Sequence, residues 1–128
     1  MANGVVFTTV GKKVMLNRYA KATPDYTAPS SGQVGTGTAT PAITDTALGT
    51  SVAAQAVTTG YPLVDEINLQ LTYQVIIDTL TANGSSITEY GLFNTDGSPA
   101  MVCRTVFPAI TKTSNVQIIF TQIDKITI

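Results

Sequence analysis

The chain has 128 residues, enough for one domain with a moderate core, and a formal net charge of -1, which gives no basis for nucleic-acid binding through bulk electrostatics. Charged residues make up only 12%, about half the usual share for a soluble domain, so Thr, Ser, Asn and Gln must cover the surface. Histidine is absent, which removes the commonest general base, the commonest metal ligand and every Ser-His or Cys-His nucleophile arrangement.

The single cysteine, Cys103, excludes an internal disulfide and the usual zinc site, and reads as a small buried residue within a strand. No run is long and apolar enough to span a membrane. Met1-Ala2-Asn3-Gly4 lacks the charged start and apolar core of a secretion signal, so the expected compartment is a reducing cytoplasm. The charge is uneven. Lys12, Lys13, Arg18 and Lys21 carry +4 before Pro24, whereas three cations and eight acids leave the remainder at -5. The two poles suit either an intermolecular contact or, more simply, a solvated helix face.

Residues 1–22 form the first region. Val5-Val6-Phe7 suits a short strand. Phe7, Val10, Val14, Met15 and Arg18 recur at three- and four-residue spacing, with Leu16 and Tyr19 adjoining, which predicts an amphipathic helix from Thr9 to Ala20. Thr8 or Thr9 is the candidate cap, Gly11 weakens the pattern, and Pro24 is the expected stop.

Residues 23–60 are rich in Gly, Thr, Ser and Ala. Gly32-Gln33-Val34-Gly35-Thr36-Gly37 has no lysine nearby, which argues against a phosphate loop; Gln33-Val34 reads as a short strand leading into a loop. Asp45-Thr46-Ala47-Leu48 is expected to form one helical turn, with Leu48 anchoring the loop in the core. A strand is expected over Ser51–Thr59.

Residues 61–128 read as antiparallel strands. Ile67, Leu69, Leu71, Tyr73, Val75 and Ile77 alternate with polar residues, which predicts a long strand from Glu66 to Asp78 with a break near Ile76, followed by a turn at Asn83-Gly84. On that strand Asp65 and Glu66 would point to opposite faces, so they make a poor paired-carboxylate site. Ile87–Phe93 and Ala100–Phe107 form a hairpin around Asn94-Thr95-Asp96-Gly97, where residues tolerant of positive φ permit the reversal. In the second arm, Met101, Cys103 and Phe107 share one face and Val102, Arg104 and Val106 the other, and Pro108 closes the arm. Asn94–Gly97 also resembles part of a calcium loop but lacks the later glutamate, so it reads as a turn without metal. The last strand, Ser114–Ile128, shifts phase near Thr121-Gln122, which suggests a bulge. Glu89 lies inside an apolar strand, so it is expected to be buried and bonded either to backbone N–H groups or to Arg104 across the hairpin.

The run Ile87-Thr88-Glu89-Tyr90-Gly91-Leu92-Phe93-Asn94-Thr95-Asp96-Gly97 resembles a segment of tailed-bacteriophage virion proteins, in particular tail-fibre and baseplate-associated ones. The quoted features are Glu89, then Gly91-Leu92-Phe93, then a polar turn ending in Asp96-Gly97. Phe7–Lys13 is similar to the opening helix of those proteins. Val34–Gly37, followed by Thr44–Leu48, is similar to their glycine loop and leucine anchor. The resemblance implies a compact module without shaft or receptor-binding tip, since fibre proteins continue where this chain stops at Ile128.

The expectation is therefore a mainly β protein, an antiparallel β-sandwich with one N-terminal helix, spanning 1–128 as a single domain. Functionally, it implies a non-enzymatic virion protein, assembled in the host cytoplasm, that connects or anchors fibres at the tail or baseplate. Capsid decoration is the alternative, and a carbohydrate-binding module ranks behind both because Trp is absent and aromatics make up only 7%. Partners would be other virion proteins and further copies of the chain, without nucleic acid, membrane, cofactor or metal. The candidate contact surface comprises Lys12, Lys13 and Arg18 on the helix, Val34 and Thr36 in the stretch from Thr27 to Pro41, and the terminal Ile128.

Overall fold

The computed structural model describes residues 4–127. Its elements are β1 (Gly4–Phe7), α1 (Thr9–Ala20), β2 (Ser31–Gly35), β3 (Ser51–Ala56), β4 (Leu63–Asp65), β5 (Gln70–Ile77), β6 (Ser86–Phe93), β7 (Met101–Thr111) and β8 (Ile118–Lys125). One antiparallel sheet runs β1-β7-β6-β2-β3 and a second runs β4-β5-β8. The sheets close on each other as a sandwich. Val34, Ile87 and Tyr90 from the first meet Val75, Ile77 and Ile118 from the second in one buried cluster. The Tyr90 and Phe120 rings stack across this space with centroids 4.3 Å apart. Each fully buried aliphatic side chain here contributes about 1.5–3 kcal/mol.

α1 spans the residues its spacing predicts, and its cap is Thr8, whose hydroxyl accepts from the Gly11 N–H at 2.9 Å. Its packing differs from expectation. Only Gly11 and Val14 are buried, while Met15, Leu16 and Tyr19 are exposed. Gly11 is the contact point itself: a Cβ there would stand 2.4 Å from the Val102 carbonyl oxygen. The glycine that weakens the helical pattern is what lets the helix reach β7. The helix ends before Pro24, at Ala20, with Lys21 as its C-cap.

The hairpin β6–β7 forms, but its ends differ from the sequence reading. Neither Asn94, Asp96 nor Gly97 adopts positive φ. The reversal is a wider loop in which the buried Asn94 side chain accepts from the Ala100 N–H at 2.8 Å and donates to Asp96 at 2.9 Å. Pro108 does not close the arm. β7 runs through it to Thr111, because the register jumps from Glu89↔Val106 to Ile87↔Ile110, leaving Pro108 in a bulge with no ladder bond to donate. A second irregularity at Leu92/Phe93 turns Met101 away from Cys103, so Met101 packs on Leu48 and Phe93 while Cys103 packs on Leu92 and Tyr73.

The long strand expected from Glu66 is interrupted. Residues 66–69 are a turn, and β5 begins at Gln70. The Asp65 carboxylate accepts from the Ile67 and Asn68 N–H groups and from the Asn68 side chain, which caps that turn and leaves Ile67 exposed. β5 then runs without a break at Ile76, and Asp78 caps the next turn through Leu80 and Thr81. Gly84 takes φ +88° there, as the Asn83-Gly84 signal anticipates. β8 pairs with β5 residue for residue, with no bulge at Thr121-Gln122. The phase shift is a change of content, since Gln122 and Asp124 continue the inward row while Ile119 and Ile123 stand outward. Asp45–Leu48 is not helical, although Leu48 is buried against Phe93 and Met101 as an anchor.

Gly11→Ala should lower stability by about 1–3 kcal/mol despite alanine's better helix propensity, because a backbone carbonyl cannot yield to the new methyl. Lys12→Ala, on the exposed face, should stay within about 0.5 kcal/mol of wild type. Denaturant midpoints of the two variants check this contrast.

Candidate functional site

The densest polar cluster centres on Glu89, whose side chain is fully buried. β6 points it to the face of the larger sheet that lies away from the smaller one. There the loop from residue 36 to residue 50 folds over it. Its Oε1 accepts from the Thr50 N–H at 2.8 Å and the Gly37 N–H at 3.0 Å. Its Oε2 accepts from the Gly49 N–H at 2.9 Å and from Arg104 Nη2 and Nε at 2.9 and 3.1 Å. Arg104 Nη1 also donates to Asp45 Oδ2 at 2.9 Å, and Asp45 accepts the Ala42 N–H at 2.9 Å. Both partners foreseen for Glu89, backbone N–H and Arg104, are therefore used together.

The glycines follow from this geometry. A Cβ at Gly35 or Gly37 would stand 2.5 or 2.6 Å from Glu89 Oε1. The glycine-rich stretch does cradle an anion, but the anion is the protein's own carboxylate. Burial opposes ionisation of Glu89, yet the N–H groups of Thr50 and Gly49, the Arg104 guanidinium and the Gly37 N–H outweigh it and hold the carboxyl below its ordinary value of 4.5. Five donors fill a carboxylate that has about four lone-pair sites. Glu89 thus has no proton to give and no free oxygen to offer, so the cluster is structural in its chemistry.

Cys103 is equally inert. Burial pushes its thiol up to about 12, and Sγ donates to Gln122 Oε1 at 2.8 Å. Lys112, a residue the sequence reading left without a role, is fully buried and donates to Asn83 Oδ1 at 2.8 Å and the Thr113 carbonyl at 3.0 Å, pinning the Asn83-Gly84 turn to the end of β7. Its position in a polar stretch gave no signal of burial. Among the described residues, no group of His, Cys, Asp and Glu is placed to hold a metal.

The proposed contact residues scatter. Lys12 and Lys13 are exposed and form no ion pair among the described residues. Arg18 donates to the Tyr26 carbonyl at 2.8 Å, and Lys21 pairs with Asp25 at 2.6 Å. Val34 is in the sandwich core with no exposed surface, so it is no contact residue; the alternation that marks a strand gave no sign of which face it takes. Thr36 is half-buried and donates its N–H to the Thr50 carbonyl at 2.9 Å. Ile128 lies outside the described residues. Gly91, Leu92 and Phe93 are buried, Asp96 accepts the Thr27 N–H at 3.2 Å, and Gly97 is exposed.

One surface feature was missed. A groove of about 580 Å³ opens between α1, β4, the start of β5 and the end of β8, lined by Met15, Val64, Leu69, Leu71 and Ile126, with Asp65, Glu66, Asp124 and Lys125 around it. A smaller cavity of about 180 Å³ adjoins it, sharing Met15, Leu71 and Asp124. The signal lay in Leu69 and Leu71, which the alternation assigned to a strand face. Comparison with protein-family models, curated proteins and solved structures finds no match for the chain.

Two measurements check the polar cluster. Glu89→Ala should cost about 3–5 kcal/mol, because it leaves the Arg104 charge and three N–H groups buried and short of an acceptor. The folded carboxyl holds its proton less tightly than the unfolded one, so the unfolded chain takes up the proton first as pH falls. Stability from Glu89 is complete above the ordinary value of 4.5 and is lost as pH drops through the lowered folded value. Urea midpoints from pH 7 to pH 3, about the range that spans carboxylate titration, should fall more steeply for wild type than for Glu89→Gln. Separately, a disulfide reagent should leave Cys103 unlabelled in the folded protein and label it on denaturation.

Proposed function

We propose that this chain is a non-enzymatic structural protein of a tailed-bacteriophage virion, a tail or baseplate module that joins or anchors fibres by protein–protein contacts. The class comes from the resemblance of the run from Ile87 to Gly97 to virion proteins. The contact role rests on one observation, the apolar surface gathered at one end of the sandwich. Val64, Leu69 and Ile126, each more than half exposed, line one groove together with Met15 of α1, and Leu16 and Tyr19 of that helix and Ile67 of the 66–69 turn are also more than half exposed. An apolar patch of that kind, on a chain so poor in charge, suits a surface that another protein covers. The Glu89 cluster supports the same reading, since the quoted run supplies a carboxylate that is spent on holding the fold together.

Immunogold labelling of purified particles of the phage that encodes the chain tests this reading. Label at the tail or baseplate is the expected result. Label over the head would replace it with the capsid-decoration role, and particles free of the chain would overturn both.

A further inference from the structure

The groove and the helix beside it carry opposite charge. Asp65, Glu66 and Asp124 surround the groove against the single cation Lys125. α1 presents Lys12, Lys13 and Leu16 to solvent on its free side, flanked by Tyr19, which is 92% exposed. Lys12, Lys13 and Glu66 find no ion-pair partner within the described chain. An acidic partner would be repelled by the groove and a basic one by the helix. A partner that brings a basic apolar helix and an acidic apolar groove side by side satisfies both, and the chain itself is such a partner.

We infer that two copies of this chain pair through this end, the α1 of each lying in the other's groove. Met15 belongs to α1 and also lines the groove, so donor and acceptor surfaces are neighbours. That adjacency lets a two-fold axis pass between them, and each contact is then made twice in a closed, isologous dimer. Leu16 and Tyr19 would cover Val64, Leu69 and Ile126, while Lys12 and Lys13 would face Glu66 and Asp124. Leu69 adds a physical reason. It holds φ +57°, a left-handed conformation unfavourable for a non-glycine residue, yet it is 55% exposed and gains little burial within its own chain. Covering it in a dimer recovers that burial.

The inference deepens the proposed contact role by naming its partner, and it rests on that reading only for its biological setting. Sedimentation velocity on the isolated chain tests it without particles, so the virion reading and the dimer can fail separately. Wild type should dimerise, and more weakly in about 0.5 M salt, where exposed charges are screened. Lys12→Glu with Lys13→Glu should weaken pairing by about tenfold or more, and so should Glu66→Lys. All three positions are exposed and unpaired, and circular dichroism should show both variants folded. Mixed in equal amounts, the two variants should form a heterodimer, since the charge-reversed helix of one then meets the charge-reversed position 66 of the other, while the unaltered helix meets the unaltered groove. A wild type that stays monomeric at about 1 mM would overturn the inference. So would a dimer untouched by either variant, as expected if copies joined along the free edge of β8, or variants that fail to restore pairing on mixing.

Discussion

A carboxylate removed from water must find its donors inside the protein, and the donors that Glu89 finds come from three separate segments. β6 carries the acid, β7 carries Arg104 fifteen residues later, and the loop supplies Gly37, Gly49 and Thr50. Among the described residues, no other side chain could be deleted with so many partners left stranded. Of the loop's residues only Pro41 and Leu48 are buried, so its closure over the sheet leans on this ion. Thr88 reinforces the same seam, its hydroxyl donating to the Gly37 carbonyl at 2.7 Å. Two carboxylates and one guanidinium would leave the cluster one negative charge in excess, and the three backbone N–H dipoles offset it. The interaction therefore specifies where the loop sits, and the apolar sandwich beneath supplies the bulk of the stability.

This dependence explains the composition of residues 35–50 better than flexibility does. Gly35 would collide with both the Thr50 carbonyl and Glu89, and Gly49 lies 3.2 Å from the Gly37 Cα at the position of a Cβ. Close backbone approach to an anion is the physics of phosphate loops, where the anion is a ligand. Here an internal side chain occupies the nest, which is why no lysine is needed beside it. Sequence patterning alone does not distinguish an internal anion from an external one. Only a buried acid on a neighbouring strand does, and Glu89 within an apolar run was that sign.

Other parts were legible to different degrees for definite reasons. Alternation over β5 and the apolar arms of the hairpin depend on period-two burial, which tertiary contacts here reinforce. Thr8 caps α1 because its hydroxyl is one residue before the helical spacing begins. The misreadings occur where a polar side chain overrides the pattern. Asp65 folds residues 66–69 into a turn in spite of their alternation. Asn94 closes the hairpin loop in place of a positive-φ pair. In β8, the inward positions are Gln122 and Asp124, so a hydrophobic count mistakes an unbroken register for a bulge. Gln122 is inward because the Cys103 thiol supplies its partner, a cross-sheet contact with no local signature. The Glu89 cluster itself was half legible: its acid, its arginine and the use of backbone N–H groups follow from the sequence, but not that Gly37, Gly49 and Thr50 supply those groups.

The structure separates the charges that hold the fold from the charges left at the surface. Arg104, Glu89 and Lys112 put their charges inside and satisfy them there, whereas Lys12, Lys13 and Glu66 keep theirs outside and unpaired. With so few charges in the chain, those spent internally leave the surface poorer still, and its apolar residues correspondingly more prominent. Some of them share a groove. Val64, Leu69 and Ile126 line one groove with Met15, while Leu80, Ile119 and Ile123 are exposed outside it. A turn capped by Asp65 is a rigid way to present Ile67 and Leu69 to solvent, and a sandwich gains nothing for itself by doing so. The proposal that a second copy covers that groove rests on this presentation and on the unpaired charges of opposite sign beside it.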